Sequence, residues 1–359
     1  MGVGRGAIGH RGRLTAAMRV LFWGTPAYAV PSLEALRAAG HELVGVVSQP
    51  DRRRGRGAEP QPSPVKAKAL ELGLPAFTPT RIRREPHLQA ELAALHTDIS
   101  VVVAFGQILP PEVLGQPPLG CWNGHGSLLP RWRGAAPIQW ALLEGDAETG
   151  VGIMAMEEGL DTGPVLLERR LPIGLLENAG QLGERLSALT ASLLVEALPR
   201  IAAAGPAGAS DRAERLGLRP QPVEGVSYAR LLNRDDDRVT WAAAALAVHR
   251  RVMGLWPGAY TTTLGRRLKL LACEPLLPAL GYRLSPEVAA LLHQRPSLAT
   301  AALGQAPGTV LELLDPLGLV VACGEGALLL RQAQLEGRRA CAGRSLLQQL
   351  NMRPGDQLV

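Results

Sequence analysis

From residue 19 onward, short apolar runs alternate with longer mixed segments. The runs "RVLFW" (19–23) and "ELVGVVS" (42–48) are unbroken, as expected of strands covered on both faces. Between them, "GTPAYAVPSLEALRAAGH" predicts a loop and then a helix that starts at a Ser32 cap and stops at Gly40. A second unit repeats the rhythm: helix "SPVKAKALELG", strand "LPAFTP", helix "EPHLQAELAALH", strand "DISVVVAFG". Such alternation predicts an α/β domain with a doubly wound parallel sheet. Ligands of these sheets sit at the carboxyl ends of strands, so residues 104–109, which end the last run and follow it, should border a pocket.

The texture changes near Ile201. "AAAGPAGASDRAERLGLRPQP" is rich in Ala, Gly and Pro and reads as a linker. Beyond it come one helix with a basic end and then short strands with turns at "DPLG" and "GEG", a pattern predicting a small β-rich barrel. Residues 276–305 break the strand pattern and read as a surface insertion. The expected organisation is an extension over 1–17, a first domain over 18–204, a linker over 205–224 and a second domain over 225–359. The first 17 residues, "MGVGRGAIGHRGRLTAA", lack acid and an apolar core. They read as a disordered extension or a misassigned start, with an organellar targeting peptide as the alternative.

Composition narrows the picture slightly. Of 359 residues, 47% are apolar and 19% charged, which fits folded two-domain chains. The net charge of +6 is almost all arginine, Lys66, Lys68 and Lys269 being the lysines. That excess admits a polyanionic partner without requiring one. Cys121, Cys273, Cys323 and Cys341 are scattered with no CxxC pair, so neither structural zinc nor a disulfide framework is indicated, and a reducing cytoplasm is expected. No uninterrupted apolar run reaches the roughly 18–20 residues of a membrane span. "GTPAYA" is not a GxGxxG fingerprint and no GxxxxGK[ST] occurs, which disfavours nicotinamide and P-loop chemistry.

The chemistry concentrates in residues 121–163. Asn123 and His125 stand two apart in a strand-like segment, so their side chains point the same way and can aim at one oxygen. Gly124 and Gly126 would let a substrate approach the backbone closely. Donors so placed suit the oxyanion of a carbonyl under attack. No activated Ser or Cys stands nearby, so the nucleophile would come from the substrate, as an amine. An imidazole in this role wants a carboxylate to fix its charge and orientation. Asp161 in "MEEGLDTGPVLL" is the best candidate; Asp146, Glu157 and Glu158 look like solvated loop acids.

The stretch "NGHGSLLPRWRGAAPIQWALLEGDAETGVGIMAMEEGLDTGPVL" resembles the signature of the folate-dependent formyltransferases. The resemblance implies a Rossmann-like catalytic domain that moves a formyl group from 10-formyltetrahydrofolate, as co-substrate, to an amine, with no metal. It assigns Asn123, His125 and Asp161 as the catalytic trio and places Ser127, Leu128, Leu129 and Pro130 beside the folate. The pterin is expected in an apolar pocket near Phe105, Gln107 and Leu109. The family's usual residue between Asn and His is β-branched, whereas Gly124 stands here.

Three features favour the branch acting on initiator methionyl-tRNA over those acting on glycinamide ribonucleotide or amino-sugar nucleotides. They are "GTPAYAVPSLEAL" with "VVSQPDRRRGRG", the form of "PRWRGAAPIQWALLEGDAETGVGIM", and the second domain with "RVMGLWPGAYT". By this resemblance the second domain is OB-like and binds tRNA, and the protein is a monomer. The loop "DRRRGRGAEP" leaves the second strand on the active-site side, so Arg52, Arg53, Arg54 and Arg56 could order against acceptor-stem phosphates, with Arg56 the best match. Arg250, Arg251 and Lys269 are candidates for a second basic face.

Overall fold

The computed structural model describes residues 17–53, 59–208 and 211–359. Its first sheet has seven strands: β1 Arg19–Gly24, β2 Glu42–Val47, β3 Ala76–Phe77, β4 Ile99–Val103, β5 Cys121–His125, β6 Glu148–Ala155 and β7 Val165–Pro172, in the order β7-β6-β5-β4-β1-β2-β3. The strands from β1 to β5 run parallel, β6 pairs antiparallel to β5, and β7 antiparallel to β6. The apolar runs form strands because helices cover both faces. Val20, Phe22, Val101 and Val103 point into one core with Leu33, Leu36 and the helix Ala179–Ala203. Leu21, Trp23, Val47 and Val102 alternate into the other, with Ile82 and Leu92.

The strand order reverses between β1 and β4, which opens the crevice where such sheets bind ligands. Three loops are pinned there. The Phe105 carbonyl, just past β4, accepts from Thr25 Oγ1 at 2.8 Å and from Gln49 Nε2 at 3.3 Å. The first helix differs from expectation. It spans Val30–Ala38, and Ser32 lies buried inside it rather than capping it. Pro31 sets the start: its fixed φ suits the first turn, where its missing N–H costs nothing. Ser63, by contrast, does cap the helix Pro64–Glu71, accepting from Lys66 N.

Among the described residues, Ala179–Ala203 is long and apolar enough to cross a membrane by length and composition. Here Leu182, Leu186, Leu193, Leu194 and Leu198 of this helix are buried in the sheet's core. The same helix explains Gly124. A Cβ at that position would stand 2.6 Å from Thr190 Cγ2. The glycine therefore makes room for a threonine whose hydroxyl bonds Tyr28 at 2.7 Å, and not for a substrate. Gly126 likewise faces Tyr28 and Ile138. Gly124→Ala is expected to lower stability by about 1–3 kcal/mol through overpacking. Adding Thr190→Ser, which deletes the clashing methyl and keeps the hydroxyl, should restore most of it. Chemical denaturation giving equal losses for the single and double variants would refute this account.

The second unit is antiparallel. Strands β8 Tyr260–Thr263, β9 Arg266–Pro275, β10 Val310–Leu314, β11 Gly318–Ala322 and β12 Ala327–Leu335 lie in the order β8-β9-β12-β11-β10, with β13 Cys341–Ala342 beside β12. The helices Ala245–Gly254 and Gly343–Leu350 fill one face with Val248, Val252, Leu346 and Leu350. Residues 276–305 are more than a surface insertion. They form 3₁₀ turns and the helix Pro286–Gln294, and they bury Leu284, Val288, Leu292 and Leu298 against Val320, Ala322 and Leu329. Their apolar residues belong to a core, which is why no strand pattern was visible.

His249 joins the two units. Its Nε2 is 2.8 Å from the Leu175 carbonyl, and its Nδ1 is 2.9 Å from the Cys273 carbonyl and 3.5 Å from Cys273 Sγ. Burial pushes the imidazole below its ordinary value and the Cys273 thiol far above. A neutral ring can serve only one of the two carbonyls: with Nε2–H donating to Leu175, Nδ1 is left for the Cys273 S–H and lies against the Cys273 carbonyl with no hydrogen between them. The unfolded chain takes up a proton near pH 6.5 that the folded chain refuses. Stability is therefore full above that pH and falls below it, by up to about 1.4 kcal/mol per unit until the depressed folded-state value is reached. Urea denaturation of wild type and His249→Gln between about pH 7 and pH 5.5 should show the steeper loss in wild type; equal slopes would refute the assignment.

Candidate active site

β5 delivers Asn123 and His125 to one face, as their spacing requires. Both reach Asp161, which sits in the turn between β6 and β7. Asn123 Nδ2 donates to Asp161 Oδ1 at 3.2 Å, and His125 Nδ1 lies 3.6 Å from Oδ2. The Gly134 N–H donates to the same Oδ2 at 2.8 Å. The side chains are only 6% (His125) and 12% (Asp161) exposed, so these polar contacts act with little competition from water. His125 Nε2 is 2.9 Å from the Trp132 carbonyl, which can only accept. The Nε2 position therefore carries a hydrogen, and Nδ1 is the nitrogen that can gain or lose a proton facing the carboxylate.

The turn holding Asp161 is tightly constrained. Asp161 has φ 51°, a left-handed conformation that costs a residue with a Cβ about 1–2 kcal/mol. Two residues on, a Cβ at Gly163 would stand 1.7 Å from the Ala155 carbonyl, so only glycine lets the chain pass β6 so closely. The loop 127–136 is equally ordered. Ser127 Oγ donates to the Arg131 carbonyl at 2.6 Å. Trp132 Nε1 donates to Asp146 at 2.7 Å, and Arg131 grips the same carboxylate at 2.9 and 2.6 Å. Asp146 is thus an anchor for the loop that presents the Trp132 carbonyl, not the solvated acid the sequence suggested; Glu157 and Glu158 are exposed. Sequence reasoning also passed over Gln221, whose amide touches this turn. No local pattern marks either residue, because their partners lie 14 to 88 residues away.

The expected folate residues divide into buried supports and exposed backbone. Phe105 and Leu109 are buried, Phe105 edge-on to Trp23 at 5.2 Å. The Gln107 side chain is spent on the neighbouring loop, accepting from Ile82 N at 2.9 Å and donating to the Pro79 carbonyl at 3.0 Å. Leu129 packs against Met154 and Val165, while Leu128 and Pro130 are half-buried. Between these supports Ala104, Gly106 and Ile108 are exposed, Ile108 by 56%, and Leu160 beside Asp161 by 47%. Ala104, Gly106 and Ile108 fall in the stretch expected to border a pocket; Leu160 carried no sequence signal. Burial pushes the Cys121 thiol up to about 12, so it is no nucleophile at neutral pH. A separate cavity of about 540 Å³, lined by Leu176, Glu274, Arg331 and Arg344 among others, shares no residue with the trio.

The arginine candidates are unequal. Arg52 and Arg53 are exposed and pair with Gln61 and Pro60 in a short hairpin beyond β2. Arg54 and Arg56 lie outside the described residues. In the second unit Arg251 spends its guanidinium on the carbonyls of Arg238 and Asp236, at 3.0 and 2.5 Å. The Arg250 guanidinium occupies the space over Gly145, where a Cβ would stand 2.0 Å from its Cζ. Both are half-buried, Arg251 with part of its guanidinium on carbonyls and Arg250 packed over a glycine. Lys269 is half-buried on β9, opposite Tyr260 and Gln334.

The fold recurs in solved structures. The N-formyltransferase from Helicobacter canadensis, in complex with folinic acid and dTDP-3-aminofucose, has a TM-score of 0.59 at 15% identity, over 87% of this chain and 98% of that one. HypX from Aquifex aeolicus, in complex with tetrahydrofolic acid, has a TM-score of 0.57 at 17% identity over 95% of this chain, which spans about half (49%) of that protein. At such identities the likeness concerns the fold. The family described as formyl transferase matches residues 18–198, and its C-terminal domain matches 231–351. Fold and site thus define a formyl transferase of two domains. The methionyl-tRNA formyltransferase of Synechococcus sp. (strain RCC307) is 65% identical over 336 residues, 93% of this chain and 100% of that protein. The chain belongs to the methionyl-tRNA formyltransferase family.

Proposed function

We propose that the protein transfers the formyl group of 10-formyltetrahydrofolate to the α-amine of initiator methionyl-tRNA. The observation that carries the reading is the convergence of Asn123 and His125 on Asp161 at 3.2 and 3.6 Å. The folate supplies the activated formyl group; the amine adds to its carbon, and the tetrahedral adduct then collapses with loss of N10, which leaves as a neutral amine carrying the proton that His125 took from the attacking nitrogen. One Asn123 N–H is held by Asp161, which leaves the second to meet the negative charge developing on the formyl oxygen. In this reading His125, expected from sequence as a donor to the oxyanion, instead takes the amine's proton on Nδ1, because its Nε2 is held by the Trp132 carbonyl. Asp161 then faces the imidazolium and steadies it. The exposed Ile108 and Leu160 give the site apolar surface suited to an aromatic pterin or a methionine side chain. Arg52 and Arg53, with the loop that follows them, supply cations for phosphates of the acceptor stem.

The test is an acceptor comparison with 10-formyltetrahydrofolate as donor. Methionyl-tRNA should be formylated far more efficiently than free methionine or a nucleotide amino sugar. Comparable efficiency on either small acceptor would overturn the tRNA assignment.

A further inference from the structure

Gln221 lies on the segment that crosses from the first unit to the second. Its neighbours Pro220 and Pro222 are exposed, yet its own side chain is half-buried. Nε2 donates to the Asp161 carbonyl at 2.7 Å and to the Gly163 carbonyl at 2.8 Å. Oε1 accepts from Arg133 Nε at 3.0 Å and Nη2 at 2.7 Å. Carbonyls only accept and a guanidinium only donates, so the amide has a single orientation. Arg133 stands between Trp132, whose carbonyl holds His125 Nε2, and Gly134, whose N–H holds Asp161 Oδ2. One side chain therefore ties the backbone of the carboxylate turn to the loop that carries its hydrogen-bond donor.

We propose that Gln221 is a positioning residue for formyl transfer, holding Asp161 in its left-handed conformation with the carboxylate turned to Asn123 and His125. This rests on the trio acting as the catalytic group. The crossing segment does not need Gln221 to stay docked. Arg219 pairs with Val165 through two 2.9 Å backbone bonds, Ser227 Oγ accepts from Trp132 N at 3.0 Å, and Tyr228–Ala229 pairs with Arg133–Gly134. A role in docking and a role in aiming the carboxylate can therefore be separated.

Gln221→Glu makes the separation. It keeps an acceptor for Arg133, now charge-assisted, but sets an oxygen against the two carbonyls that the amide served. Gln221→Met, similar in length and without donors, is the second variant and keeps the test readable should the glutamate variant fold poorly. Steady-state formylation of methionyl-tRNA is measured for wild type and both variants, with thermal unfolding and a kcat–pH profile. The expected result is a kcat lower by about 10- to 100-fold, as small misplacements of reacting groups produce. KM for tRNA and folate should stay near wild type, with a displaced pH profile and little change in unfolding temperature. Wild-type kcat in either folded variant, or a loss confined to KM for tRNA, overturns the proposal. A wild-type protein with no formyl transfer overturns the underlying reading instead.

Discussion

Asp161→Asn is expected to lower kcat/KM for formyl transfer by about 10³- to 10⁴-fold, near the upper end of what a positioned acid–base group contributes. The carboxylate accepts from Asn123 Nδ2 and the Gly134 N–H and lies opposite His125 Nδ1, which becomes a donor once it has taken the amine's proton. An amide offers one oxygen and one NH₂. Whichever way it lies, a donor faces a donor, and the negative charge opposite the imidazolium is gone. The loss should fall on kcat, because none of these contacts requires bound tRNA. Measured single-turnover rates at saturating substrates within a few-fold of wild type would refute the role given to Asp161.

His125→Ala carries the second large effect, about 10²- to 10⁴-fold in the same rate. The ring is nearly dry, with one nitrogen fixed on the Trp132 carbonyl, and no other described imidazole stands beside Asp161 to replace it. Small bases could. Added imidazole should recover part of the rate in His125→Ala and none in Asp161→Asn, because the first leaves a hole and the second leaves a misdirected ring. Recovery in both, or near-normal turnover of His125→Ala, would contradict the mechanism.

The parts of this molecule legible from sequence are those in which one periodicity decides the outcome. β1, β2 and β4 are covered on both faces, so their runs are unbroken and their alternation merely sorts side chains between two cores. The two-residue spacing of Asn123 and His125 brings both to Asp161 for the same reason. What stayed hidden is decided by partners far along the chain. Gly124 looked like an opening for substrate; it is a concession to Thr190, 66 residues later. Asp146 looked solvated because Trp132 and Arg131 meet it from the other end of the helix Pro137–Glu144. For Arg250 and Arg251 sequence shows the charge alone, and not that the guanidinium lies partly on carbonyls or over a glycine. Residues 276–305 hid their part in a core because its buried side chains are spread over two 3₁₀ segments, one short helix, Pro286–Gln294, and the residues joining them.

The backbone pairing of Ser227–Ala229 with residues 130–136 bears on how the enzyme can be taken apart. A fragment ending near residue 204 would keep every reacting side chain and lose the girders behind two of the surfaces that present them. Silence from such a fragment would report on architecture, and would say nothing of whether the distal half grips RNA. A chimera between relatives inherits the same rule: its seam belongs after Ala229, so that the bridge travels with the half whose chemistry it braces.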